Sequence, residues 1–305
     1  MKLFSKVLLT SLLAVLVSAG VEGAVKTLKV LSIGNSFSNS VVGDLNRIVQ
    51  RDPSVKLLLK RAALGGCSLE RHWKEHLKSE KDPKYKPYRN GKSKNTLVEL
   101  LKAEKWDIVT MQQVSTFSWK EETYEPFAGN IIALVRKYAP TAEIVIQQTW
   151  SYNSANLNLK RWKLTQKSMY EKARDAYAKF ALRYKLRVIP TGLAVQLYRE
   201  KLGSKLVPMD LKGKYEAPKV PETTDPAGYG IWRKNKKTGK IELARDTSHL
   251  GAGGRYMQGC LWFGFLFGKD PAQIKYVPKT LKKEQAELYR KCASEALAQY
   301  KQVKK

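Results

Sequence analysis

Residues 28–38 read Leu-Lys-Val-Leu-Ser-Ile-Gly-Asn-Ser-Phe-Ser, a short apolar run that ends in a glycine and a serine-containing turn. Such a run has the length of one buried strand. Four further segments have the same character, at 55–64, 107–111, 143–146 and 187–189. Segments with helical spacing separate them, so we predict βαβ units and an α/β fold, a three-layer αβα sandwich around a five-stranded parallel sheet.

The helical segments are recognised by apolar residues that recur every three to four positions. They are predicted at 68–79, 97–104, 127–138, 159–184, 251–267 and 281–300. Ser68 is a good N-cap for the first of them, and Pro140 stops the third. Ligands of parallel sheets bind beyond the carboxyl ends of the strands, so the residues that follow each strand are the place to search for function.

Composition indicates one globular domain over residues 25–305. The chain has 305 residues, of which 43% are hydrophobic, enough for a sizeable core. This excludes a disordered tail protein and a disulfide-stapled mini-domain. Its three cysteines, Cys67, Cys260 and Cys292, are too few and too scattered for a disulfide framework or a cysteine zinc site, and at most one bridge could form.

The chain is strongly basic, with a net charge of +29. Lysine supplies most of the surplus, with 41 Lys against 15 Arg. A lysine-rich surface is typical of a solvated face or of non-specific attraction to polyanions such as acidic polysaccharides, and does not indicate nucleic-acid recognition. Two basic segments, 71–105 and 199–245, depart from the alternation of strands and helices and are predicted to be insertions. The second contains a predicted hairpin over 229–244 that turns at 237–239.

The first 24 residues have the pattern of a secretory signal peptide. Lys2 and Lys6 precede an apolar run over 7–17, and small residues follow it. The run is too short for a spanning helix with these flanks. The sequence therefore predicts a secreted or periplasmic protein without a stable membrane anchor, and it indicates no particular oligomeric state.

Three strand ends are followed by residues that could do chemistry. Ser36 lies between a strand and a helix, where a hydroxyl is exposed and its own N–H is near a helix start. Gly65 and Gly66 could offer backbone N–H groups, and Gln112 or Gln113 could donate a side-chain amide to an oxyanion. Each of these patterns is equally compatible with an ordinary turn or loop contact.

A histidine with a nearby carboxylate lies near the other end of the chain. His249 is one of only three histidines, and Asp246 precedes it by three residues. At this spacing, within one turn, the carboxylate can accept a hydrogen bond from Nδ1–H and stabilise the imidazolium. The alternative is that Asp246 only caps a helix.

Together these four sites resemble the SGNH (GDSL-like) hydrolase superfamily. The resemblance implies a flavodoxin-like sheet, Ser36 as nucleophile, and Asp246 and His249 as acid and base. It places the oxyanion-hole donors at Ser36, at Gly66 (or Gly65) and at Gln112 (or Gln113), where the family usually has an asparagine. It implies acyl transfer through an acyl-enzyme, with an ester as substrate and with no metal or cofactor. We prefer an ester carried on a carbohydrate because the chain is predicted to be secreted, is basic and has aromatic residues in its predicted loops.

Two further patterns compete with this interpretation. The run 72–76 spells H-x-x-E-H, an inverted zinc-protease motif, but no third ligand is evident. The two histidines could simply lie on an exposed face or pack against a loop, but the nearby glycine loop makes His72 a candidate for the active-site rim. Trp232 is a second candidate for substrate binding. The lysine-rich segments and their aromatic residues leave open a catalytically inactive module that binds acidic polysaccharide.

Overall fold

The computed structural model describes residues 25–300, so the predicted signal peptide lies outside the described residues. In chain order the strands are β1 (Lys26–Gly34), β2 (Val55–Ala63), β3 (Tyr88–Asn90), β4 (Ser93–Asn95), β5 (Ile108–Met111), β6 (Glu143–Gln147), β7 (Arg187–Ile189), β8 (Ala227–Lys234) and β9 (Ile241–Leu250). Five of them form a parallel sheet in the order β2-β1-β5-β6-β7. These are the five strands predicted from the sequence, and the predicted fold class is confirmed.

Helices cover both faces of this sheet. They are α1 (Ser36–Asn39), α2 (Val42–Val49), α3 (Leu69–Lys81), α4 (Leu97–Lys102), α5 (Phe127–Tyr138), α6 (Leu157–Arg161), α7 (Gln166–Tyr184), α8 (Thr191–Leu202), α9 (Ala252–Phe267) and α10 (Lys283–Gln299). Alternate residues of β1 enter two separate cores, Val30 on one side and Leu31 on the other. The first core is built with α2, α8, α9 and α10, and the second with α3, α4, α5 and most of α7.

The structure corrects one predicted helix and adds two. The prediction of a continuous helix over 159–184 is wrong, because the chain turns at Lys163, which has a φ of 55°. A new helix begins after Thr165, whose hydroxyl accepts from the Ser168 N–H in a capping box. Helices α2 and α8 were not predicted. α8 follows Pro190 directly at the end of β7.

Two small antiparallel sheets lie outside the central one. Strands β3 and β4 pair within segment 71–105, and β8 pairs with β9. The predicted hairpin at 229–244 is confirmed, and its turn is closed by a hydrogen bond from the Asn235 N–H to the Lys240 carbonyl. The second strand continues to Leu250, so Asp246 and His249 lie at the end of a strand and not at the start of a helix.

The three cysteines are free and buried. Among residues 25–300, no helix has both the length and the hydropathy needed to span a membrane.

Candidate active site

Asn35 organises the turn between β1 and α1. Its side-chain oxygen accepts from the Phe37 N–H at 3.0 Å, and its amide donates to the Cys67 carbonyl at 2.9 Å. The Gln112 amide donates to the same oxygen of Asn35 at 2.9 Å. Three segments that follow β1, β2 and β5 are thus joined through one side chain. Ser36, the first residue of α1, is consequently fixed at the carboxyl edge of the sheet.

Ser36, His249 and Asp246 form a continuous hydrogen-bonded line. The Ser36 Oγ is 2.8 Å from His249 Nε2, and His249 Nδ1 is 2.7 Å from Asp246 Oδ2. The imidazole packs on the Phe37 ring, with 5.1 Å between ring centroids. Since Asp246 Oδ2 can only accept, Nδ1 carries a proton, and the neutral form of the imidazole has its lone pair on Nε2, facing the serine hydroxyl.

Asp246 remains ionised in this setting. Burial raises the pKa of its carboxyl, but hydrogen bonds from the His249 side chain and from the N–H groups of His249 and Ser248 outweigh burial, so the pKa lies well below its ordinary value. The two N–H donors bind Oδ1 at 2.8 and 2.9 Å, which leaves Oδ2 for the imidazole. A permanently charged acceptor is what stabilises an imidazolium.

The loop after β6 holds the end of β9 in place. The Trp150 indole N–H donates to the Ser248 carbonyl at 2.8 Å, and the Asn153 N–H donates to the Thr247 carbonyl at 3.0 Å. The Asn156 amide adds a bond to the Thr247 hydroxyl at 2.9 Å. All three bonds are accepted by Thr247 or Ser248, the two residues between Asp246 and His249. They therefore fix the position of the acid and base relative to the sheet.

A buried ion pair anchors the base of the same hairpin. Arg199 of α8 and Asp225, just before β8, are 2.8 Å apart, and their side chains are 2% and 1% exposed. Arg199 also donates to the Ser151 hydroxyl at 2.7 Å, and Asp225 accepts from the Ala227 N–H at 2.8 Å. The hairpin is thereby connected to the helical layer and to the loop after β6.

Two backbone donors near the nucleophile are available to an oxyanion. Within the described part of the chain, the N–H groups of Ser36 and Gly66 have no hydrogen-bond partner. Gly66 has a φ of 58°, in the left-handed region that favours glycine, and Gly65 beside it is also exposed with an unpartnered N–H. The loop is held next to Asn35 by the Cys67 carbonyl.

The two glutamines are committed to other contacts. Both are 1% exposed. The Gln112 amide nitrogen binds Asn35, as described above. The Gln113 oxygen accepts from the Leu69 N–H at 3.1 Å, and its amide donates to the Thr123 carbonyl at 3.0 Å. The structure therefore does not place either amide as the third oxyanion donor, because each acts as a brace between loops.

The structure places His72 inside the molecule and not on the rim. Its ring is 0% exposed, with Nε2 3.0 Å from the Gly34 carbonyl and Nδ1 2.9 Å from the Tyr88 hydroxyl. Because a carbonyl only accepts, Nε2 carries the proton. Burial lowers the pKa of His72 to about 4. With both nitrogens occupied, His72 cannot join His76 in binding a metal, and it supports the end of β1 instead.

Trp232 also lies away from the acid and base. Its indole donates to the Lys219 carbonyl at 2.7 Å. The residues on either side of it in β8, Ile231 and Arg233, line a small cavity that includes Asp246, and successive strand residues point to opposite faces. Trp232 is therefore directed to the other face of the hairpin, and the structure does not bring it to the site.

Sequence reasoning missed the residues that position the acid and base. Trp150, Asn153 and Asn156 follow the fourth predicted strand, whereas the predicted nucleophile and oxyanion donors follow the first three. Applied to β6, the same rule indicates this loop. Asn35 lies in the opening stretch quoted above and was assigned no role, yet it is the residue that connects three loops.

The chain belongs to the DUF4886 family, described as a domain of unknown function, whose model matches residues 29–204. It is similar to a solved DUF4886 family protein from Bacteroides uniformis, at 24% identity over 90% of this chain and 96% of that one, with a TM-score of 0.68. No curated protein matches its sequence.

Two more distant structures bear functional names. A candidate SGNH hydrolase from Slackia heliotrinireducens is 18% identical over 79% of this chain and all of its own, with a TM-score of 0.49. An acetyl xylan esterase is 13% identical over 77% of this chain and 98% of its own, with a TM-score of 0.46. The structural neighbours thus include hydrolases of the SGNH and GDSL-like type, the superfamily that the sequence resembles.

Proposed function

We propose that this protein is a secreted serine esterase that hydrolyses an acyl ester, carried on a carbohydrate, through an acyl-enzyme. The observation that carries the proposal is the line from Ser36 through His249 to Asp246, with both distances within hydrogen-bond reach. The secreted location rests on the composition of residues 1–24.

The first half of the reaction transfers the acyl group to the protein. His249 Nε2 accepts the hydroxyl proton as Ser36 Oγ attacks the ester carbonyl, and Asp246 stabilises the imidazolium. The N–H groups of Ser36 and Gly66 bind the oxyanion of the tetrahedral intermediate. The intermediate collapses when the C–O bond to the alcohol breaks, and His249 returns its proton to the leaving alcohol.

The second half regenerates the serine. Water loses a proton to His249 and attacks the acyl carbonyl, and the bond to Ser36 Oγ breaks as His249 returns the proton. The products are one carboxylic acid and one free enzyme. The protein groups supply all proton transfers in both halves, so the mechanism requires no metal or cofactor.

A row of aromatic rings supports a carbohydrate as the alcohol part of the ester. Phe37, next to the nucleophile, lies 6.5 Å from Tyr152, which lies 5.8 Å from Trp162. Trp162 in turn lies 5.7 Å from Trp119. Both tryptophans are half-buried, so part of each indole faces solvent. Phe37 and Tyr152 are buried, so the partly exposed apolar faces of the two indoles are the surfaces that suit the faces of sugar rings.

The proposal is tested by ester hydrolysis with matched serine variants. Wild-type protein should hydrolyse p-nitrophenyl acetate, and Ser36→Ala should reduce the rate to that of buffer while its circular dichroism spectrum stays unchanged. Ser93→Ala, at an exposed serine of the β3–β4 hairpin, is the control and should retain full activity. A wild-type protein that is inert on p-nitrophenyl acetate and on a panel of acetylated sugars would favour the catalytically inactive polysaccharide-binding module.

A further inference from the structure

A large open cavity lies beside α2 and α9, apart from the catalytic residues. Its volume is about 1230 Å³, above the roughly 300–1,000 Å³ that is usual for small-molecule sites and large enough for an extended ligand. The segment 269–280 forms its third wall. Ser36, Asp246 and His249 are not among its lining residues. This cavity, the groove, therefore takes no part in the proposed reaction chemistry.

The groove is long because its two helices run side by side in the same direction. Gly259 of α9 approaches α2 so closely that a Cβ there would lie 3.0 Å from the Leu45 N. Farther along, Lys269 binds Asp52 at 2.5 Å. Arg255 lies one turn above Gly259, while Arg51 lies beyond the other end of α2. Four residues of α9 and the six residues from Leu45 to Arg51, at about 1.5 Å per residue, separate the backbone levels of Arg255 and Arg51 by roughly 15 Å along the groove.

Positive charge is distributed along this length. The cationic lining residues are Arg47, Arg51, Arg255, Lys269, Lys275 and Lys279, against Asp44, Asp52 and Asp270. Arg47 pairs with Asp44, and Lys269 pairs with Asp52. The other four cations form no ion pair within residues 25–300. A ligand with several negative charges along its length would complement them, whereas a ligand with one charged head would not.

The walls between the cations are apolar. Ile48, Phe263 and Ile274 are buried in the floor. The guanidinium of Arg51 lies over the Tyr276 ring, 4.5 Å from its centroid, and covers one face of that ring. That face is therefore occupied by a cation, and the apolar patches between the charges suit the C–H faces of sugar rings.

One end of the groove adjoins the catalytic strand. Arg255 donates to the Leu250 carbonyl at 2.8 Å, one residue after His249. Its guanidinium also lies 5.8 Å from the ring of Tyr229, which pairs with Asp246 across the hairpin. A chain bound along the groove therefore has the end that lies at Arg255 directed toward the acid and base.

We propose that the groove binds an acidic oligosaccharide, whose carboxylate or sulfate groups pair with the four unpaired cations. The proposal deepens the proposed function, on which it rests for the expectation that the bound chain presents its ester to Ser36. The recognition itself depends only on the groove.

The test compares two triple variants that remove the same charge from different places. Binding of a galacturonate hexamer, a heparin hexasaccharide, neutral cellohexaose and the oligonucleotide dT6 is measured by calorimetry at fixed ionic strength. The groove variant is Arg51→Gln, Lys275→Gln and Lys279→Gln. The matched control is Lys236→Gln, Lys237→Gln and Lys240→Gln, at exposed positions in the β8–β9 turn.

The groove variant should bind at least one of the two acidic saccharides about tenfold more weakly than wild type, and the control within about twofold. The galacturonate and heparin arms distinguish carboxylate from sulfate recognition, and cellohexaose should not bind. Equal losses in both variants, no binding of either acidic saccharide, or tighter binding of dT6 would overturn the proposal. Hydrolysis of p-nitrophenyl acetate should be the same in the groove variant as in wild type. A wild type without esterase activity would contradict the proposed function and leave the binding result standing.

Discussion

The nucleophile turn and the acid–base strand end are held in different ways. Ser36 is fixed by Asn35, whose contacts with Cys67 and Gln112 all lie at the edge of the central sheet. Asp246 and His249 lie on a hairpin outside that sheet. They are positioned by hydrogen bonds from the loop after β6, about a hundred residues earlier in the chain.

This difference separates two requirements of the site. The nucleophile turn inherits its geometry from the sheet, so it forms whenever the core folds. The base reaches the serine only if the hairpin docks, and docking depends on a small number of buried polar contacts. Changes that loosen the hairpin should therefore lower activity even where the core stays folded.

Among changes in the hairpin, the largest effect is expected from Asp246→Asn. Asparagine can still accept the two backbone N–H bonds, but its amide cannot accept from His249 Nδ1–H, so the imidazole loses its tautomer and its charge partner. The kcat for p-nitrophenyl acetate should fall about 10⁴-fold. Denaturant unfolding serves as the control and should show a folded protein. Activity within tenfold of wild type would mean that the carboxylate does not orient the base.

A smaller effect, on folding itself, is expected from Arg199→Leu. It leaves the Asp225 carboxylate buried without its partner, which should lower the free energy of unfolding by about 3–5 kcal/mol in urea. The double variant with Asp225→Leu should recover part of the loss. Lys201→Leu, which breaks the half-exposed pair with Glu295, should cost less than about 1 kcal/mol. Equal losses of unfolding free energy in Arg199→Leu and Lys201→Leu would show that the Arg199–Asp225 pair is not buried in solution.

The smallest effect concerns the support beneath the nucleophile turn. Burial holds the pKa of His72 near 4, against 6.5 ordinarily. The unfolded chain therefore binds more protons than the folded one between these values, and stability falls as the pH is lowered from about 6.5 to 4, by up to about 3 kcal/mol.

The check is the unfolding free energy of wild type and His72→Gln from pH 4 to pH 8. Below pH 6.5, the unfolding free energy of the variant should depend less steeply on pH than that of wild type, by an amount that corresponds to the uptake of at most one proton on unfolding. Above pH 7.5 the two proteins should show the same pH dependence. Identical slopes below pH 6.5 would contradict a buried neutral His72.

The sequence predicted the sheet well because each strand is a local apolar run closed by a glycine, proline or polar residue. Helix ends were harder. The break near Lys163 depends on one left-handed residue, although the Thr165–Ser168 pair was a readable cap. α8 was missed although Pro190 precedes it.

The catalytic residues themselves could be predicted from the sequence, whereas the residues that position them could not. Ser36, Asp246 and His249 could be named from short motifs and their place in the chain. The bond from Trp150 to Ser248 joins residues 98 apart, and no local pattern encodes it. The glutamines that follow β5 were assigned as oxyanion donors because of their position. Their burial, which commits them to other loops, depends on tertiary packing that a strand-end rule does not consider.

The central claim, that Ser36 is an activated nucleophile, is tested most directly by labelling the folded protein with an alkyl fluorophosphonate and mapping the adduct by peptide mass spectrometry. The serine oxygen would bond to phosphorus as fluoride leaves, with the proton passing to His249. We predict one adduct, on the peptide that contains Ser36, and much slower labelling in Asp246→Asn. A folded protein whose Ser36 stays unmodified after long exposure would contradict the claim.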